Sequence, residues 1–379
     1  MPEDQLQELE LGKPASQLEA ITKTTRRKPE PKERPKFEFK VPIERYAMVI
    51  GLRRAKVAMH KLLELPLMKP EAFEKLKLKK SCGIIMYGAP GIGKTFLAKA
   101  VNGELGVKLC YVPPSSILSK YVGESSHNVK ILFDVARRQQ PCCIFIDECE
   151  TLLQNRDNVS SEGGSQELKS AISEFLIEVS KVHDDKTSHI YLIGATNQIW
   201  NVDVAHKRSG RFEYILYLRP PSFNDRRKLF KLYLEKGKQQ APEYFKHINY
   251  SLLAISTMYY SPADIERLCD VAIRNAIEKR NIMITTRTVQ KALWSSNAGK
   301  SSLDPWFLSM AIKYLPQKKS KLRWLISKSY RQKELKDPKL DKADLEMVKD
   351  MVKDIRSYMR WHWGIHLIRI FGKGFPSFT

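Results

Sequence analysis

The sequence predicts an α/β fold: a parallel sheet covered by helices on both faces, followed by a small helical lid domain. Three observations predict it. The apolar run Gly83–Tyr87 is typical of a buried strand and leads through a glycine-rich loop, residues 88–95, into a helix. A second apolar run, Cys142–Ile146, ends on two acidic residues. After Arg219-Pro220-Pro221 the apolar residues recur at helical spacing, which indicates a separate helical part.

The glycine-rich loop has the pattern G-x-x-x-x-G-K-T and is the first candidate site. In such a loop the glycines let backbone N–H groups surround phosphates, and the helix that follows adds further donors at its N-terminus. We expect Lys94 to reach the β- and γ-phosphates of ATP and the Thr95 hydroxyl to ligate Mg²⁺. A glycine-rich turn that binds nothing is the alternative. The predicted nucleotide contacts here are Gly88, Ala89, Pro90, Gly91, Ile92, Gly93, Lys94, Thr95 and Phe96.

The two acidic residues after the second strand are the next candidates. Asp147 would emerge at the carboxyl edge of the sheet, where ligands of open α/β sheets collect, and is the expected Mg²⁺ ligand. Glu148 would then accept a proton from an attacking water as the general base. Alternatively, both acids only begin the next helix as N-terminal charges.

Four motifs together resemble the ATPase core of the AAA family. They are Tyr87–Thr95, Phe145–Glu148, Gly194–Asn197 and Arg208–Phe212, in this order and at these separations, and the resemblance covers about residues 41 to 315. It implies an ATP hydrolase that works as a homo-oligomeric ring, usually a hexamer.

The resemblance also implies roles for single residues. Asn197 is similar to the polar sensor that holds the attacking water, although a turn-forming Asn is the alternative. Arg208 and Arg211 resemble paired arginine fingers that reach the neighbouring subunit's site, where they stabilise charge on the transferred phosphoryl group. Ile50 and Gly51 lie in a stretch that resembles the frame of the adenine base.

The sequence departs from the family's pattern at several positions. Met48 stands where Asp is usual, Ile92 where Thr is usual, and Glu213-Tyr214 where Asp-Arg is usual. Pro262 replaces a glycine at the start of a lid helix, which suits a first helical turn but puts the close backbone approach to the nucleotide in question. No phosphate ligand or finger is lost, so we expect a divergent but active ATPase.

A possible substrate-gripping loop follows the third strand. Lys120, Tyr121 and Val122 lie in a segment that resembles the first pore loop of AAA unfoldases, in which an aromatic residue can grip an extended polypeptide. A surface turn whose Tyr packs locally is the alternative. We expect a second, polar loop over Asn155–Glu167.

Composition indicates a cytoplasmic, mostly globular chain that is not transmembrane. Of its 379 residues 42% are hydrophobic, and no apolar run is long enough to span a bilayer. The formal net charge of +23 favours an anionic partner, nucleic acid or a membrane surface, at the basic termini, although a solvated basic face also fits. The six cysteines, which we expect to be reduced and without a catalytic role, are Cys82, Cys110, Cys142, Cys143, Cys149 and Cys269.

The chain divides into four predicted regions. These are a disordered basic tail (1–40), the α/β ATPase domain (41–219), a helical lid (220–315) and a basic, aromatic-rich C-terminal extension (316–379). The extension is compatible with packing against the lid or a neighbouring subunit, with docking to a partner or membrane surface, and with nucleic-acid contact.

We therefore expect ATP hydrolysis coupled to remodelling, disassembly or threading of a polypeptide. Within the family, the candidate pore loop and the residues after the lid resemble the branch that includes katanin, spastin and filament-disassembling ATPases. A nucleic-acid-associated AAA ATPase and an ATP-gated assembly scaffold remain the alternatives.

Overall fold

The strands form one six-stranded sheet, in which the expected parallel order is present. The computed structural model describes residues 37–76, 83–119, 123–154, 163–185, 187–203, 206, 210–278, 283–294, 301–303, 306–307, 350–351, 353–355 and 357–358. The strands are β1 (Phe39–Lys40), β2 (Gly83–Tyr87), β3 (Lys108–Val112), β4 (Cys142–Ile146), β5 (Ile190–Thr196) and β6 (Tyr214–Tyr217). Their order is β1-β3-β4-β5-β2-β6, and only β1 runs antiparallel to its neighbour.

The central strands are buried on both faces, as their continuous apolar sequences predict. Every residue of β2, β4 and β5 is buried. The register pairs Tyr87 with Thr196 and Ile146 with Gly194. The carboxyl ends of these three strands therefore lie side by side at one edge of the sheet.

Helices cover both faces of this sheet and form the lid. They are α1 (Arg53–Met59), α2 (Leu65–Met68), α3 (Pro70–Lys75), α4 (Lys94–Leu105), α5 (Glu124–Arg138), α6 (Gly163–Asp184), α7 (Phe223–Gln240), α8 (Tyr250–Ser256), α9 (Pro262–Ile277) and α10 (Thr286–Trp294). A wide helical turn, His60–Glu64, joins α1 to α2. The mixed α/β fold class is thus confirmed.

The lid has its own apolar core. Leu229 and Phe230 of α7 pack with Ile265 and Leu268 of α9, as the helical spacing predicts. Helix α9 begins with a capping box in which Ser261 and the Asp three residues later exchange hydrogen bonds. Pro262 occupies the first turn, where its missing N–H costs nothing.

Parts of the chain beyond α10 pack into the core of the sheet. Trp306 and Phe307, which lie inside the predicted lid range, belong to the buried cluster that contains Ile85 and Tyr87. Met351, Ile355 and Tyr358, in the predicted extension, are fully buried in the same cluster, because their four- and three-residue spacing places them on one helical face. Packing against the lid or a neighbouring subunit was one alternative for the extension; these three residues pack into the core of the sheet, and Tyr358 also contacts Tyr259 of the lid. The domain boundaries themselves stay predictions.

Two further expectations concern the described part of the chain. Among its helices, none is both long and apolar enough to cross a bilayer. Five of the six cysteines are described, and all five are free and buried. Burial raises the pKa of the Cys142 thiol to about 12, so this thiol stays protonated at neutral pH. Cys82 lies outside the described residues.

Candidate nucleotide site

The glycine-rich loop connects β2 to α4 at the carboxyl edge of the sheet. Gly91 and Gly93 adopt φ angles of +72° and +96°, which favour glycine because other residues meet steric strain there. A Cβ on Gly88 would lie 2.6 Å from the carbonyl oxygen of Leu218, so this turn also requires the smallest residue. The loop pattern in the sequence thus corresponds to a tight turn that leads into the N-terminus of α4.

Lys94 lies beneath this loop with its ammonium group turned inward. Its side chain is mostly buried, and its Nζ donates hydrogen bonds to the carbonyl oxygens of Gly88 and Ala89, both at 2.9 Å. It also donates to Oδ1 of Asn197 at 2.6 Å. Burial lowers the pKa of Lys94 to about 8, against the opposing field of Asp147. A desolvated ammonium of this kind is stabilised by an anion, which a phosphate group would supply.

Asp147 follows β4 and faces the start of α4. Its Oδ2 accepts hydrogen bonds from the Thr95 hydroxyl at 3.1 Å and from the Tyr111 hydroxyl at 3.2 Å. Glu148, the next residue, is exposed and adopts φ +46°, while Cys149 behind it is fully buried. This turn directs the Glu148 carboxylate away from the core, at the edge where the glycine-rich loop lies.

Asn197 comes directly after β5, which pairs with β2. The N–H of Gly88 donates to the carbonyl of Thr196 at 3.3 Å, so the end of β5 is attached to the start of the loop. Lys94, Asp147 and Asn197, predicted from separate motifs, are therefore brought to one edge of the sheet.

Two contacts at this site were not predicted from the sequence. Tyr111 pairs with Phe145 across β3 and β4, which places its hydroxyl beside Asp147. Its position near the carboxyl end of a strand next to β4 is the only sequence signal. The indole N–H of Trp306 donates to the carbonyl of Asn197 at 3.0 Å, and no local pattern indicates that contact.

The expected base-binding residues line a cavity of about 850 Å³ between the sheet, the lid and the side chains of Asp350 and Asp354. Ile50, Gly51 and Ile92 contribute to its wall. Gly51 has φ +74°, and a Cβ there would lie 2.9 Å from Cγ of Asp225 at the start of α7. Phe96, by contrast, is 40% exposed and does not line this cavity.

The chain is similar in sequence to known proteins. Residues 84–220 match the family described as "ATPase family associated with various cellular activities (AAA)". The chain is 32% identical over 259 residues to a proteasome-activating nucleotidase of Saccharolobus islandicus, with 68% of this chain and 64% of the relative aligned. This chain belongs to the AAA family of ATPases.

Further relatives extend the comparison. A proteasome-activating nucleotidase of Sulfurisphaera tokodaii is 31% identical over 265 residues, which are 69% of this chain and 66% of that relative. A cell division cycle protein 48 homolog of Archaeoglobus fulgidus is 36% identical over 239 residues, or 63% of this chain and 31% of that protein. The chain therefore spans less than two thirds of the length of each of these relatives.

Pro262 stands where the AAA family usually has glycine, and the lid still contacts the glycine-rich loop. The N–H of Ala263 lies 3.4 Å from the carbonyl of Gly91. A Cβ on Gly91 would lie 3.0 Å from both the Ala263 Cβ and the Ser261 Oγ. The first turn of α9 therefore contacts the glycine-rich loop directly, and the approach of its backbone to the nucleotide stays a prediction.

The AAA finger and pore-loop residues are only partly described. Arg211 lines a cleft of about 470 Å³ against α6, and this cleft is separate from the base-binding cavity. The backbone carbonyl of Arg211 lies close to Gly83 of β2, where a Cβ on the glycine would be 2.5 Å from the carbonyl oxygen. Arg208 and the pore-loop residues Lys120, Tyr121 and Val122 lie outside the described residues.

The expected second loop is shorter than predicted at its C-terminal end. Helix α6 already begins at Gly163, so residues 163–167 are helical. Glu167 is buried, and its carboxylate accepts a hydrogen bond from the N–H of Gly123 at 2.8 Å. This contact, which no local pattern in the sequence indicates, attaches α6 to the residue that follows the candidate pore loop.

The residues at the site fit ATP with Mg²⁺. Thr95 and Asp147 offer hydroxyl and carboxylate oxygens, the hard donors that Mg²⁺ prefers, and the loop offers backbone N–H groups for phosphates. Within the described residues there is no group of three or more His, Cys, Asp or Glu side chains that could enclose a metal. Two protein ligands are typical of Mg²⁺ held jointly with nucleotide phosphates.

Proposed function

We propose that this chain hydrolyses ATP at the carboxyl edge of its sheet. The observation that carries the proposal is the contact of Lys94 with Asn197 at 2.6 Å beside the contact of Thr95 with Asp147 at 3.1 Å. These contacts bring a phosphate-binding cation, a polar sensor and the two oxygen ligands expected for Mg²⁺ to one place.

Each side chain has a distinct role in the proposed reaction. Lys94 exchanges its carbonyl partners for phosphate oxygens and stabilises the charge that develops on them. Glu148, exposed next to Asp147, accepts the proton of the attacking water, and Asn197 orients that water. Mg²⁺, when bound by Thr95 and Asp147, would neutralise phosphate charge.

We further propose that the active form is a homo-oligomeric ring, by resemblance a hexamer, in which Arg208 and Arg211 complete the neighbour's site. Support comes from Arg211, which lines a cleft separate from the base-binding cavity of its own chain. An arginine finger contributes about 10³- to 10⁵-fold to the rate in related phosphoryl-transfer systems, so an isolated subunit should turn over slowly.

The proposed output is remodelling, disassembly or threading of a polypeptide gripped by Tyr121, with Lys120 and Val122 beside it. The residues on the two sides of this segment support the proposal, because hydrogen bonds hold both of them to neighbouring parts of the chain. The N–H of Ser119 donates to the Ser125 hydroxyl at 2.9 Å, and Glu167 holds Gly123 from the other side.

The names of the curated relatives, which refer to proteasome activation and to the cell division cycle, are compatible with work on proteins. Placement in the branch of katanin and spastin rests on the resemblance of the pore-loop segment and of the residues after the lid. We retain this placement as part of the proposal.

Steady-state ATPase activity measured against protein concentration tests the proposal. Specific activity should rise as rings form, should increase further with an unfolded polypeptide, and should vanish in Glu148→Gln. Tyr121→Ala should abolish the polypeptide stimulation, whereas Tyr244→Ala, at an exposed tyrosine of the lid, should retain it.

The same assay separates the alternatives. Stimulation by DNA or RNA alone, lost at high salt, would replace the polypeptide by a nucleic acid. Turnover that persists in Glu148→Gln would overturn the assignment of the base. Absence of turnover at every concentration would favour a nucleotide-gated scaffold.

A further inference from the structure

Asn197 is held on two sides by residues from distant parts of the chain. Its side-chain Oδ1 accepts a hydrogen bond from Lys94, and its backbone carbonyl accepts one from the indole N–H of Trp306 at 3.0 Å. Trp306 is 7% exposed, so its indole lies almost entirely within the protein. The first contact belongs to the nucleotide site. The second joins that site to a residue distant from it in the sequence.

The indole contact fixes the backbone where regular strand pairing ends. The Thr196 carbonyl is the last of β5 to be held by the glycine-rich loop, through the N–H of Gly88 at 3.3 Å. The next carbonyl, that of Asn197, turns instead to Trp306. A fixed partner for this carbonyl limits movement of the Asn197 backbone, from which the Asn197 side chain projects.

The indole itself is held by aromatic packing. Its ring lies edge-on to Phe307, with centroids 5.3 Å apart, and Phe307 stacks on Tyr358 at 4.8 Å. Tyr259 of the lid approaches both rings edge-on, at 5.7 Å from Phe307 and 5.1 Å from Tyr358. These are favoured geometries for aromatic pairs, so the donor position of Trp306 is well defined.

Ser301 and Ser302, which lie shortly before Trp306 in the chain, are attached to the start of the lid helix α9. The N–H of Ser302 donates to Oδ2 of Asp264 at 3.0 Å, and the hydroxyl of Ser301 donates to the Tyr259 carbonyl at 2.6 Å. Ser301 and Ser302 therefore contact the lid, and Trp306, a few positions further along the chain, contacts Asn197.

We infer that Trp306 is a positioning residue for ATP hydrolysis, which acts by holding the Asn197 backbone so that the Asn197 side chain stays aligned with the attacking water. The inference rests on the proposed function, because it assigns Trp306 a part in that same reaction. Trp306 is not among the residues that line the base-binding cavity, so we expect its loss to affect the chemical step and to leave nucleotide binding in place.

Trp306→Phe tests the inference, because it retains an aromatic ring and removes the N–H donor. We expect kcat to fall about three- to tenfold, the effect of one hydrogen bond, while KM and ring assembly stay as in wild type. Ser357→Ala is the matched control: it removes the 3.1 Å hydrogen bond from the Tyr259 hydroxyl at the far side of the same aromatic cluster, and kcat should not change.

A double-mutant cycle with Asn197→Ala distinguishes positioning from general stabilisation. Single-turnover hydrolysis of labelled ATP can follow the slow variants. If Trp306 acts through Asn197, then Trp306→Phe has no further effect once the Asn197 side chain is absent. An equal fall in both backgrounds, or wild-type kcat in Trp306→Phe, would overturn the inference and leave the proposed function intact. A wild-type protein that does not hydrolyse ATP would overturn both.

Discussion

Gly91 joins the glycine-rich loop to the lid, and Gly91→Ala should weaken ATP binding through that contact. The change has two separable costs. A Cβ at φ +72° costs about 1–2 kcal/mol in the left-handed region. The new methyl group would also lie 3.0 Å from the Ala263 Cβ and the Ser261 Oγ, and overpacking of this kind costs about 1–3 kcal/mol.

Only the second cost should appear in the affinity. The backbone strain is present with and without nucleotide, so it lowers the free energy of unfolding alone. We expect the lid to move away from the loop without ATP and to close on it with ATP, which would relieve the steric contact in the first state and restore it in the second. A loss of about 1–3 kcal/mol corresponds to ATP affinity about 5- to 150-fold weaker than in wild type.

Calorimetric titration of ATP in a Glu148→Gln background measures this effect without turnover. Gly106→Ala is the matched control, because Gly106 has φ +66° and a Cβ there would meet nothing within 4 Å. It should lower stability and leave affinity unchanged. Adding Ala263→Gly to Gly91→Ala should restore part of the affinity and none of the stability. Wild-type affinity in Gly91→Ala, or no recovery in the double variant, would refute the proposed contact between loop and lid.

Three other substitutions have definite expected outcomes. Lys94→Ala should weaken ATP binding about 10- to 100-fold in calorimetry, since a hydrogen bond to a charged group contributes about 1.5–3 kcal/mol; unchanged affinity would contradict the role of the ammonium. Glu148→Gln should bind ATP normally while kcat falls at least about 100-fold in the steady-state assay, because the base is lost. Arg219→Ala should lower the free energy of unfolding in denaturant titration by about 1 kcal/mol at most, because its pair with Asp354 is partly exposed, and Arg219→Lys should recover only part of the loss.

The sequence was most informative where a short segment determines its own geometry. The glycines of the loop, the apolar strand β4 and the acidic pair after it are local patterns, and parallel strands bring their carboxyl ends together whatever the rest of the chain does. Lys94 and Asp147 could therefore be assigned to one edge of the sheet, whereas Asn197 was assigned to the same site through its resemblance to the polar sensor of the AAA family. The capping box at Ser261 is likewise local, so the start of α9 could be anticipated.

Contacts that depend on the path of the chain could not be predicted in this way. Met351, Ile355 and Tyr358 have helical spacing in the sequence, but the spacing does not say which surface they cover. Their basic and aromatic surroundings left packing, docking to a partner or membrane surface, and nucleic-acid contact as alternatives. In the structure Asp354, an acidic residue of the same region, pairs with Arg219, which follows β6.

The position of Tyr358 bears on how the lid and the site communicate. Tyr358 packs against Phe307 and against Tyr259, while Trp306, next to Phe307, holds the Asn197 carbonyl. Rotation of the lid must therefore either carry this aromatic cluster with it or break its contacts with Tyr259. In the first case the Asn197 backbone moves with the lid, and in the second the cluster stays on the sheet while the lid moves alone. The contacts of the described residues favour the second case, because the cluster shares the sheet's own apolar core with Ile85 and Tyr87 and is joined to the lid by Tyr259 and by hydrogen bonds of Ser301, Ser302 and Ser357.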